Sequence, residues 1–600
     1  MDPTASKLEL VMHPKAAFIT IGTSERKGRH RQHSWTPIVR LLNQSDNFDV
    51  PNGYKWRLDG VSSDGTRFFA YPELAANDMP MRIDVYIRDQ AEHSSLTRHV
   101  LHTNGTMFCK SIEDIRGLRF SRHLLKSLEL WSSNQPNFEE MYFQLPFGSY
   151  IAVDTISLYV RNMNIHCVPC YETEQQWLSP AQLQKLWHSD VPVQSWPDMI
   201  PLTQLSLQTQ PRDSISLVTI PHLGSSRIFV FKSILHDMRY MYHELKMLLS
   251  MPPHPNIIQK PLYLVTHQRR FGGIGVCGFI LSYYPLGTLQ QMLWQASISN
   301  TIHMKTRCQW AREITEALLH IQSTSSAEFY TGLKPGNIVM TRRGDNNDRV
   351  ETVLLDFEQR TGRYTWSPPE VRYVSYFEHV VASETAPMEI KEKYRAMLRA
   401  YYPDWQPDWL VRPYRNPRLG YSGPWLALTP QERESAEVFM LGKLLWCIFE
   451  GVPCIDDGLN FDTFREPYCA QRFPGFRRSP QLIRDCIRRC TAGAPEWRGR
   501  FPAVAKCGNK LFPYGWDSSC GSDDDNDQVA EAVSEEDTLQ AAKTWWEEEL
   551  RDAERFFHAF YRHKAGEEKQ PGDEEILSFL GQRPTLMHVL DVIQNVECRI

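Results

Sequence analysis

The chain has 600 residues and a formal net charge of -5, with 42% hydrophobic and 23% charged residues. This length exceeds one ordinary hydrophobic core, so we expect two or more domains. The slightly acidic balance argues against a nucleic-acid binder, because neutralising phosphates requires a basic excess. The basic run "RKGRHR", Arg26 to Arg31, fits either a nuclear signal or a solvated arm.

The sequence has no pattern of a membrane span or a secretory signal. The most apolar run, "VFMLGKLLWCIFEGV" from Val438, is interrupted by Lys443 and is too short to cross a bilayer. The stretch "MDPTASKLELVMHPK" lacks the apolar core and cleavage site of a signal peptide. We therefore predict an intracellular protein, cytoplasmic or nuclear, without membrane contact and with reduced cysteines.

Changes of pattern along the chain predict three regions before residue 206. Residues 1–48 are polar and weakly periodic, which indicates a flexible arm. Residues 49–188 predict a separate β-rich domain of unknown role, with strands at "TRFFAYPEL", "RIDVYIRD", "EEMYFQLPF" and "YIAVDTISLYV" between turn residues. Residues 189–205 contain several prolines and predict a linker.

Residues 206–600 have a different pattern. The apolar runs "SISLVTI", "RIFVFKSI", "PLYLVTH" and "VCGFILSYY" predict strands, and "DMRYMYHELKMLLSM" predicts one helix between the second and third. Helical patterns dominate from Thr301 onward. A small strand-rich lobe followed by a larger helical lobe is a bilobal α+β arrangement, with a crevice where small ligands commonly bind.

Nine short motifs follow one another in this region. They are "FVFK", "HELKMLL", "HPNII", "FILSYYPLGTL", "YTGLKPGNIV", "LLDFEQ", "SPPE", "EVFMLGKLLWCIFEG" and "RPTLMHVLDVI". In this order they resemble the signature set of a protein kinase, and within that fold a divergent group known from filamentous fungi. The resemblance covers about residues 205–600 and leaves out the N-terminal third.

The resemblance implies a nucleotide pocket. Lys232 would hold the first two phosphates, and Glu244 on the following helix would pair with that lysine. Leu281 would gate the back of the pocket, and the backbone near Tyr283 would meet adenine. The alternative reading of Lys232 and Glu244 is a structural ion pair that holds the helix to the sheet.

The resemblance also implies a metal site. Asn337 and Asp356 would hold Mg²⁺, which prefers oxygen ligands beside a phosphate. Lys334 would neutralise the transferred phosphate. ATP and Mg²⁺ are therefore the implied cofactors, and weak or absent binding stays open as an alternative.

The catalytic loop departs from the kinase pattern. Where the family has His-Arg-Asp, this chain has Tyr330, Thr331 and Gly332, so no side chain at the last position accepts the substrate hydroxyl's proton. A positioned general base contributes about 10²- to 10⁴-fold to rate. The helix aspartate that braces this loop in the family is Glu437 here, which suggests that the brace is rebuilt or dropped.

Two phosphate-side motifs also depart. The glycine-rich loop is replaced by "TQPRDSI", in which Pro211 lacks a backbone donor and Asp213 would bring a negative charge near the phosphates. The glycine that follows Asp-Phe in the family is Glu358, which restricts the backbone or acts as an extra metal ligand or substitute base.

The segment from Asp356 to Glu370 is short, and Thr361, Tyr364 and Thr365 are its candidate phosphorylation sites. The family's arginine beside the missing aspartate is absent, so a phosphate there would lack its usual partner and switching is not expected.

Insertions interrupt the kinase-like region at about residues 371–430 and 499–580. The first carries "YYPDWQPDWLVRPYRNP", which suits protein partners or packing on the large lobe. The second opens with an acidic run and continues with an apolar stripe at helical spacing, which fits docking on the lobe or a partner site. The stripe contains Leu539, Ala542, Trp546, Leu550, Ala553 and Phe557.

Two arginines compete as the partner of Glu370, the last residue of "SPPE". Arg583 lies in the longer motif match and Arg498 lies in "PEWRGR". We expect Arg583 to pair with Glu370.

The sequence leads to two functional hypotheses. The first is a pseudokinase, a kinase-like fold with impaired catalysis that works as a binding or scaffolding module. The second is an active Ser/Thr kinase that uses Lys232, Asn337 and Asp356 without the usual base, because lysine and metal electrostatics carry much of phosphoryl transfer.

Overall fold

The computed structural model describes residues 5–21, 55–62, 65–73, 79–88, 97, 100–101, 112–224, 226–299, 302–324, 327–342, 349–362, 364–407, 413–455, 472–500, 504–507, 510–513 and 534–600. The basic run and most of the acidic run lie outside these residues. The predicted α+β class is confirmed, because helices and several sheets share the chain. None of the helices in the described ranges has the length and apolarity needed to span a bilayer.

The chain begins with packed helical turns where the sequence predicts a flexible arm. Helix α1 (Ala5–Met12) and a 3₁₀ helix (Pro14–Phe18) lie against a long helix near the end of the chain. Leu8 and Val11, three residues apart, are both buried there. The prediction for residues 1–48 is therefore wrong for residues 5–18, because their apolar side chains are covered by a segment more than 500 residues away.

A five-stranded sheet comes next, hydrogen-bonded in chain order. Only its third and fourth strands run parallel. Its strands are β1 (Trp56–Val61), β2 (Arg67–Pro72), β3 (Asp84–Ile87), β4 (Tyr150–Thr155) and β5 (Asn164–Val168). Between β3 and β4 lie helices α2 (Ile112–Gly117), α3 (Arg119–Ser133) and α4 (Phe138–Gln144). The predicted strand "EEMYFQLPF" is therefore wrong: it forms α4, which buries Tyr142 on one side of a helix.

The predicted linker is also part of the folded structure. After α5 (Glu172–Gln175) and α6 (Pro180–Leu186), strand β6 (Asp198–Pro201) joins the edge of a six-stranded sheet. The sheet has the order β6-β10-β11-β9-β8-β7. Its other strands are β7 (Ser206–Arg212), β8 (Ile215–Thr219), β9 (Ile228–Lys232), β10 (Tyr263–Gln268) and β11 (Ile274–Ser282). Its helix α7 (Met238–Ser250), between β9 and β10, is almost entirely buried.

The rest of the chain is mainly helical. It contains α8 (Leu289–Ser299), α9 (Met304–Ser323), the hairpin β12 (Ile338–Arg342) and β13 (Val350–Leu354), α10 (Pro369–Ala382), α11 (Met388–Tyr401), α12 (Gly423–Leu426), α13 (Pro430–Glu450), α14 (Gln481–Cys490), the hairpin β14 (Val504–Cys507) and β15 (Lys510–Pro513), α15 (Glu535–Ala565), α16 (Asp573–Leu577) and α17 (Leu586–Glu597). Helix α13 is the buried centre of this part. It starts with a capping box between Thr429 and Glu432 and ends at Gly451, whose φ of 72° suits glycine.

The two insertions pack on each other. The stripe predicted for the second insertion lies on α15, and five of its six residues are buried. Its last four residues face α10 and α11, whereas Leu539 and Ala542 pack against α1 and the β14–β15 hairpin. The docking alternative is therefore confirmed for this face of α15. Much of the first insertion likewise serves packing, since Tyr394 and Leu398 of α11 belong to the same core.

One hydrophobic core runs from the first sheet into the helical part, so the first sheet is not a separate domain. The core includes Val85 of β3, Leu235 after β9 and Phe439 of α13. Polar contacts also join the two sheets, since the backbone N–H of Gln210 donates to Asp59 Oδ2 at 2.9 Å.

Candidate functional site

Four elements bring the predicted nucleotide ligands together. Lys232 ends β9, and Glu244 lies on the next helix, α7. The antiparallel pair Ile338–Leu354 in the β12–β13 hairpin places Asn337, just before β12, near Asp356, just after β13. Short local connections thus join Lys232 to Glu244 and Asn337 to Asp356, and the two pairs meet through a contact between Lys232 and Asp356 that spans 124 positions of the sequence.

Lys232 lies at the centre of three carboxylates. Its Nζ is 2.6 Å from Glu244 Oε2, 2.9 Å from Asp356 Oδ1 and 3.0 Å from Glu358 Oε1. The lysine side chain is only 6% exposed. All three contacts are ion pairs, and the contact to Asp356 is also a hydrogen bond donated by Lys232 Nζ. The third partner, Glu358, was not expected from the sequence.

Electrostatics keep this lysine charged. Burial alone would lower the pKa of Lys232, but Asp356, Glu244 and Glu358 together raise it well above its usual range. Burial raises the pKa of Glu244, and Lys232 offsets only part of that effect. For Asp356, burial is the largest single influence and acts to raise the pKa, but Lys232, Lys334 and Arg360 together lower it below its usual range. The contribution of Lys334 is electrostatic, and its role beside a phosphate stays a prediction.

The Asp356 backbone is in the left-handed region, with φ at 65°. This conformation is uncommon for a residue other than glycine and is kept only where the surroundings enforce it. Here Asn337 donates through Nδ2 to Asp356 Oδ2 at 3.2 Å and to Gly332 O at 2.9 Å. The N–H of Phe357 donates to Glu244 Oε1 at 3.2 Å. These bonds aim the Asp356 carboxylate at Lys232.

The carboxylates of Glu244, Asp356 and Glu358 form a cation site. Their ligand oxygens all lie within 4.8 Å of one another, which is close enough for one metal ion. The ammonium of Lys232 is the cation that they hold in this structure. Asn337 supplies a side-chain amide next to Asp356.

At position 332 the structure has little room for a side chain. The Tyr330 hydroxyl donates to the carbonyl of Leu355, and the ring packs on Phe357 at 5.2 Å. A Cβ at Gly332 would lie 3.0 Å from Tyr330 Oη and 3.1 Å from Asn337 Nδ2. A side chain at position 332, such as the aspartate of the kinase pattern, would therefore be crowded by Tyr330 and Asn337.

Glu437 still braces this loop, so the brace is rebuilt. The glutamate is fully buried and accepts hydrogen bonds from the Tyr330 backbone N–H at 2.7 Å and from Gln322 Nε2 at 2.8 Å. Burial raises its pKa to about 8.

The predicted adenine-side residues lie on and after β11. Leu281 is buried and pairs with Val230 of β9, two residues from Lys232. Tyr283 follows the strand and is exposed. Their role beside adenine stays a prediction.

The sequence predicts that Asp213, in the β7–β8 turn, brings a negative charge near the phosphates, but this carboxylate is paired with two arginines instead. Asp213 Oδ1 lies 2.7 Å from Arg67 Nη2 and 3.4 Å from Arg82 Nη2, both on the first sheet side. Arg82 is buried and donates through Nη1 to the carbonyl of Ser233 at 2.8 Å, directly after Lys232. Sequence reasoning missed both arginines, because they precede the site by about 130–150 residues.

Helix α7 is fixed by contacts that the sequence also did not reveal. His243 Nε2 lies 2.6 Å from Gln359 Oε1, and Gln359 Nε2 donates to the carbonyl of Phe329 at 2.9 Å. Burial lowers the pKa of His243 to about 4, which keeps the ring neutral. Lys246, one turn on, donates to Asn416 Oδ1 at 3.0 Å in the first insertion. These contacts hold Glu244 toward Lys232.

The predicted pairing of Glu370 is confirmed. Arg583 donates through Nη1 and Nη2 to the two Glu370 carboxylate oxygens at 2.5 and 3.3 Å, and both side chains are buried. Arg583 is thus the partner found, in preference to Arg498.

The chain matches no protein-family model and no curated protein. Any functional assignment therefore rests on the residues and the geometry of this site.

Proposed function

We propose that this chain is a protein kinase-like module with impaired catalysis, a pseudokinase that works mainly by binding. The observation that carries the proposal is the contrast within one site. Lys232 is bound to Glu244 and Asp356, with Asn337 on Asp356, while Gly332 offers no base.

The arrangement of elements supports a bilobal fold of this type. A six-stranded sheet with one long buried helix precedes a helical part centred on α13, and the four site residues come from both. The Glu370–Arg583 pair and the Glu437 brace occupy the positions that the resemblance implies.

The side chains at this site are of the chemical types that bind a magnesium nucleotide. Lys232 and Lys334 would face phosphates, and Asn337 and Asp356 would hold Mg²⁺. The ion would neutralise phosphate charge. The fit has one obstacle, because Lys232 already contacts three carboxylates and a phosphate has to displace one of them. Glu358 is the partner that the family pattern lacks, so we expect weak nucleotide binding.

Neither Tyr330 nor Glu358 is suited to replace the base. The Tyr330 hydroxyl is engaged with the carbonyl of Leu355. Glu358 uses one carboxylate oxygen for Lys232 at 3.0 Å and the other for Arg360 at 2.5 Å. Taking a proton from a substrate would break one of these ion pairs. This argues against Glu358 as the substitute base.

The alternative is an active Ser/Thr kinase with non-standard residues. The assembled Lys232–Glu244 pair and the Asn337–Asp356 bond favour it, because they supply the electrostatic part of phosphoryl transfer. A missing base slows transfer by about 10²- to 10⁴-fold without removing these terms.

The test is a thermal-unfolding titration with ATP, with and without Mg²⁺, on the wild type and Asp356→Asn. Ligand at a hundred times its dissociation constant should add about 2.7 kcal/mol to the wild type. Asp356→Asn should lose the magnesium-dependent part and should fold, because it relieves repulsion among the three carboxylates. Asp485→Asn, on the exposed side of α14, is the matched control.

No stabilisation of the wild type at millimolar ATP would contradict the nucleotide site. Phosphate transfer to a generic protein substrate by the wild type, lost in Asp356→Asn, would instead establish the active-kinase alternative.

A further inference from the structure

An aromatic groove lies outside the nucleotide site, where α10 and α15 meet the segment after Asp356. We define the aromatic groove by Tyr364, Tyr376, His379 and Trp546. The Tyr364 ring centroid is 4.8 Å from Tyr376, 5.3 Å from His379 and 6.0 Å from Trp546, all edge-on. Tyr376 and Trp546 are 5.1 Å apart. Both insertions and the Asp356–Glu370 segment thus contribute to one surface.

The groove is filled by residues 5–21 of the same chain. Trp546 Nε1 donates to the carbonyl of Val11 at 2.8 Å, and Lys543 Nζ donates to the carbonyl of Ile19 at 2.9 Å. The His13 ring stacks on His379 with centroids 5.2 Å apart. Ala16 and Ala17 are 0% and 6% exposed in the core beneath.

These contacts have the form of a bound peptide. Two side chains one turn apart on α15 hold the backbone carbonyls of Val11, in the middle of the segment, and Ile19, near its end. Ala16 and Ala17 are buried in the same core as Tyr376 and Trp546. The segment's bonds reach partners more than 500 positions later in the sequence. Its binding is therefore an intramolecular association rather than local folding.

We propose that the aromatic groove is a peptide-binding site whose ligand is residues 5–21 in cis, and that this ligand covers Tyr364. The proposal goes beyond the nucleotide site and does not depend on it. The Tyr364 hydroxyl is buried and has no hydrogen-bond partner among the described residues. Residues 5–21 contribute to this cover, because the His13 ring lies edge-on to the Tyr364 ring with centroids 6.3 Å apart. Release of the segment should therefore make Tyr364 more accessible to a modifying enzyme. The ligand class is a short apolar helix followed by a turn with two adjacent small residues.

The primary test uses full-length protein and a labelled peptide of residues 5–21. Ala17→Asp places a carboxylate in a buried apolar position, so it should release the segment and open the groove. Thr20→Asp adds the same charge at an exposed position and is the matched control. Fluorescence anisotropy should show saturable peptide binding to Ala17→Asp. The wild type and Thr20→Asp should not bind at the same concentrations, because a tethered segment acts at an effective concentration on the order of a millimolar.

A second substitution locates the peptide. Adding Trp546→Phe to Ala17→Asp removes one hydrogen bond to the Val11 carbonyl and keeps an aromatic ring. It should weaken peptide binding about fivefold. A tyrosine kinase should label Tyr364 in Ala17→Asp, and adding the peptide should suppress that labelling.

Proteolytic cleavage of the wild type provides a second test, which does not require Ala17→Asp to fold. A protease recognition sequence is inserted between residues 21 and 55 of the wild type, and the chain is cut after folding. The released N-terminal fragment should co-elute with the remainder and dissociate on dilution, faster with Trp546→Phe.

Three results would overturn the proposal. Equal peptide binding by the wild type and Ala17→Asp would show that residues 5–21 do not occupy the groove. A fragment that separates at once after cleavage would show that the groove has no affinity for it. A dimer in sedimentation that requires residues 5–21 would assign the occupant to a second copy of the chain.

Discussion

Replacing Glu358 by glutamine should convert weak nucleotide binding into tighter binding. Glu358 Oε1 lies 3.0 Å from Lys232 Nζ, and a phosphate has to take that place. At an effective dielectric of about 20, the Coulomb attraction between two unit charges at this distance is roughly 5 kcal/mol. Most of this loss is offset, because the carboxylate that a phosphate displaces becomes hydrated. A hydrogen bond to a charged group contributes a net of about 1.5–3 kcal/mol. Glu358→Gln should therefore lower the dissociation constant for ATP about ten- to a hundredfold.

The variant should fold normally. Glu244 and Asp356 still neutralise Lys232, and the substitution removes repulsion among three carboxylates whose oxygens lie within 4.8 Å of one another. Arg360 loses a partner, but its side chain is 48% exposed and water can solvate it.

Isothermal titration calorimetry with magnesium ATP measures the effect. Glu316→Gln is the control, because it breaks an ion pair with Arg312 on α9, away from the site. If Glu358→Gln and the wild type both bind with equal affinity, the competition argument is refuted. If neither binds, the proposed nucleotide site is wrong.

Three further outcomes are expected. Gly332→Ala should lower the free energy of unfolding in urea by about 1–3 kcal/mol, because the new Cβ would lie 3.0 Å from Tyr330 Oη. Adding Tyr330→Phe should restore part of that free energy. Unchanged stability of Gly332→Ala would contradict the argument that Tyr330 crowds position 332. Burial raises the pKa of Glu437 from 4.5 to about 8, so the folded state keeps a proton that the unfolded state loses. Stability should therefore fall between about pH 4.5 and 8, by up to about 1.4 kcal/mol per unit, and Glu437→Gln should remove that slope in urea titrations. Glu370→Gln should lower stability by about 3–5 kcal/mol by leaving the buried guanidinium of Arg583 without its anion; a smaller change on thermal unfolding would mean that water reaches it.

The sequence predicted the parts of the site that depend on short connections. Lys232 and Glu244 are separated by one loop and half a helix, and Asn337 and Asp356 flank one hairpin. A strand end followed by a helix, and two ends of a hairpin, place such residues together whatever the rest of the chain does. The α+β class came from the same local patterns.

The sequence did not predict contacts between distant segments. Asp213 was assigned to the phosphates, yet it pairs with Arg67 and Arg82 of the first sheet. The polar turn "TQPRDSI" has no local feature that reveals such partners. The prediction of an arm is wrong at residues 5–18 for the same reason, because the surface that buries Val11 belongs to α15. The spacing of apolar residues predicts which face of a helix or strand is apolar, but it does not predict which distant segment covers that face.

The departures from the kinase pattern at Tyr330, Gly332 and Glu358 depend on one another, so under the proposed function a single substitution should not give kinase activity. The Tyr330 hydroxyl donates to the carbonyl of Leu355, and its oxygen lies 3.0 Å from the position that a Cβ on residue 332 would take. An aspartate there needs a smaller residue at position 330. An aspartate at position 332 would also add a fourth carboxylate near Glu244, Asp356 and Glu358. Those three carboxylates are paired with two cations, Lys232 and Arg360, so the added negative charge would be repelled. Gly332→Asp alone should therefore remain inactive. Activity, if it is recoverable, should require Tyr330→His, Gly332→Asp and Glu358→Gly in one chain, and phosphate transfer by the single Gly332→Asp variant would show that the crowding and charge argument is wrong.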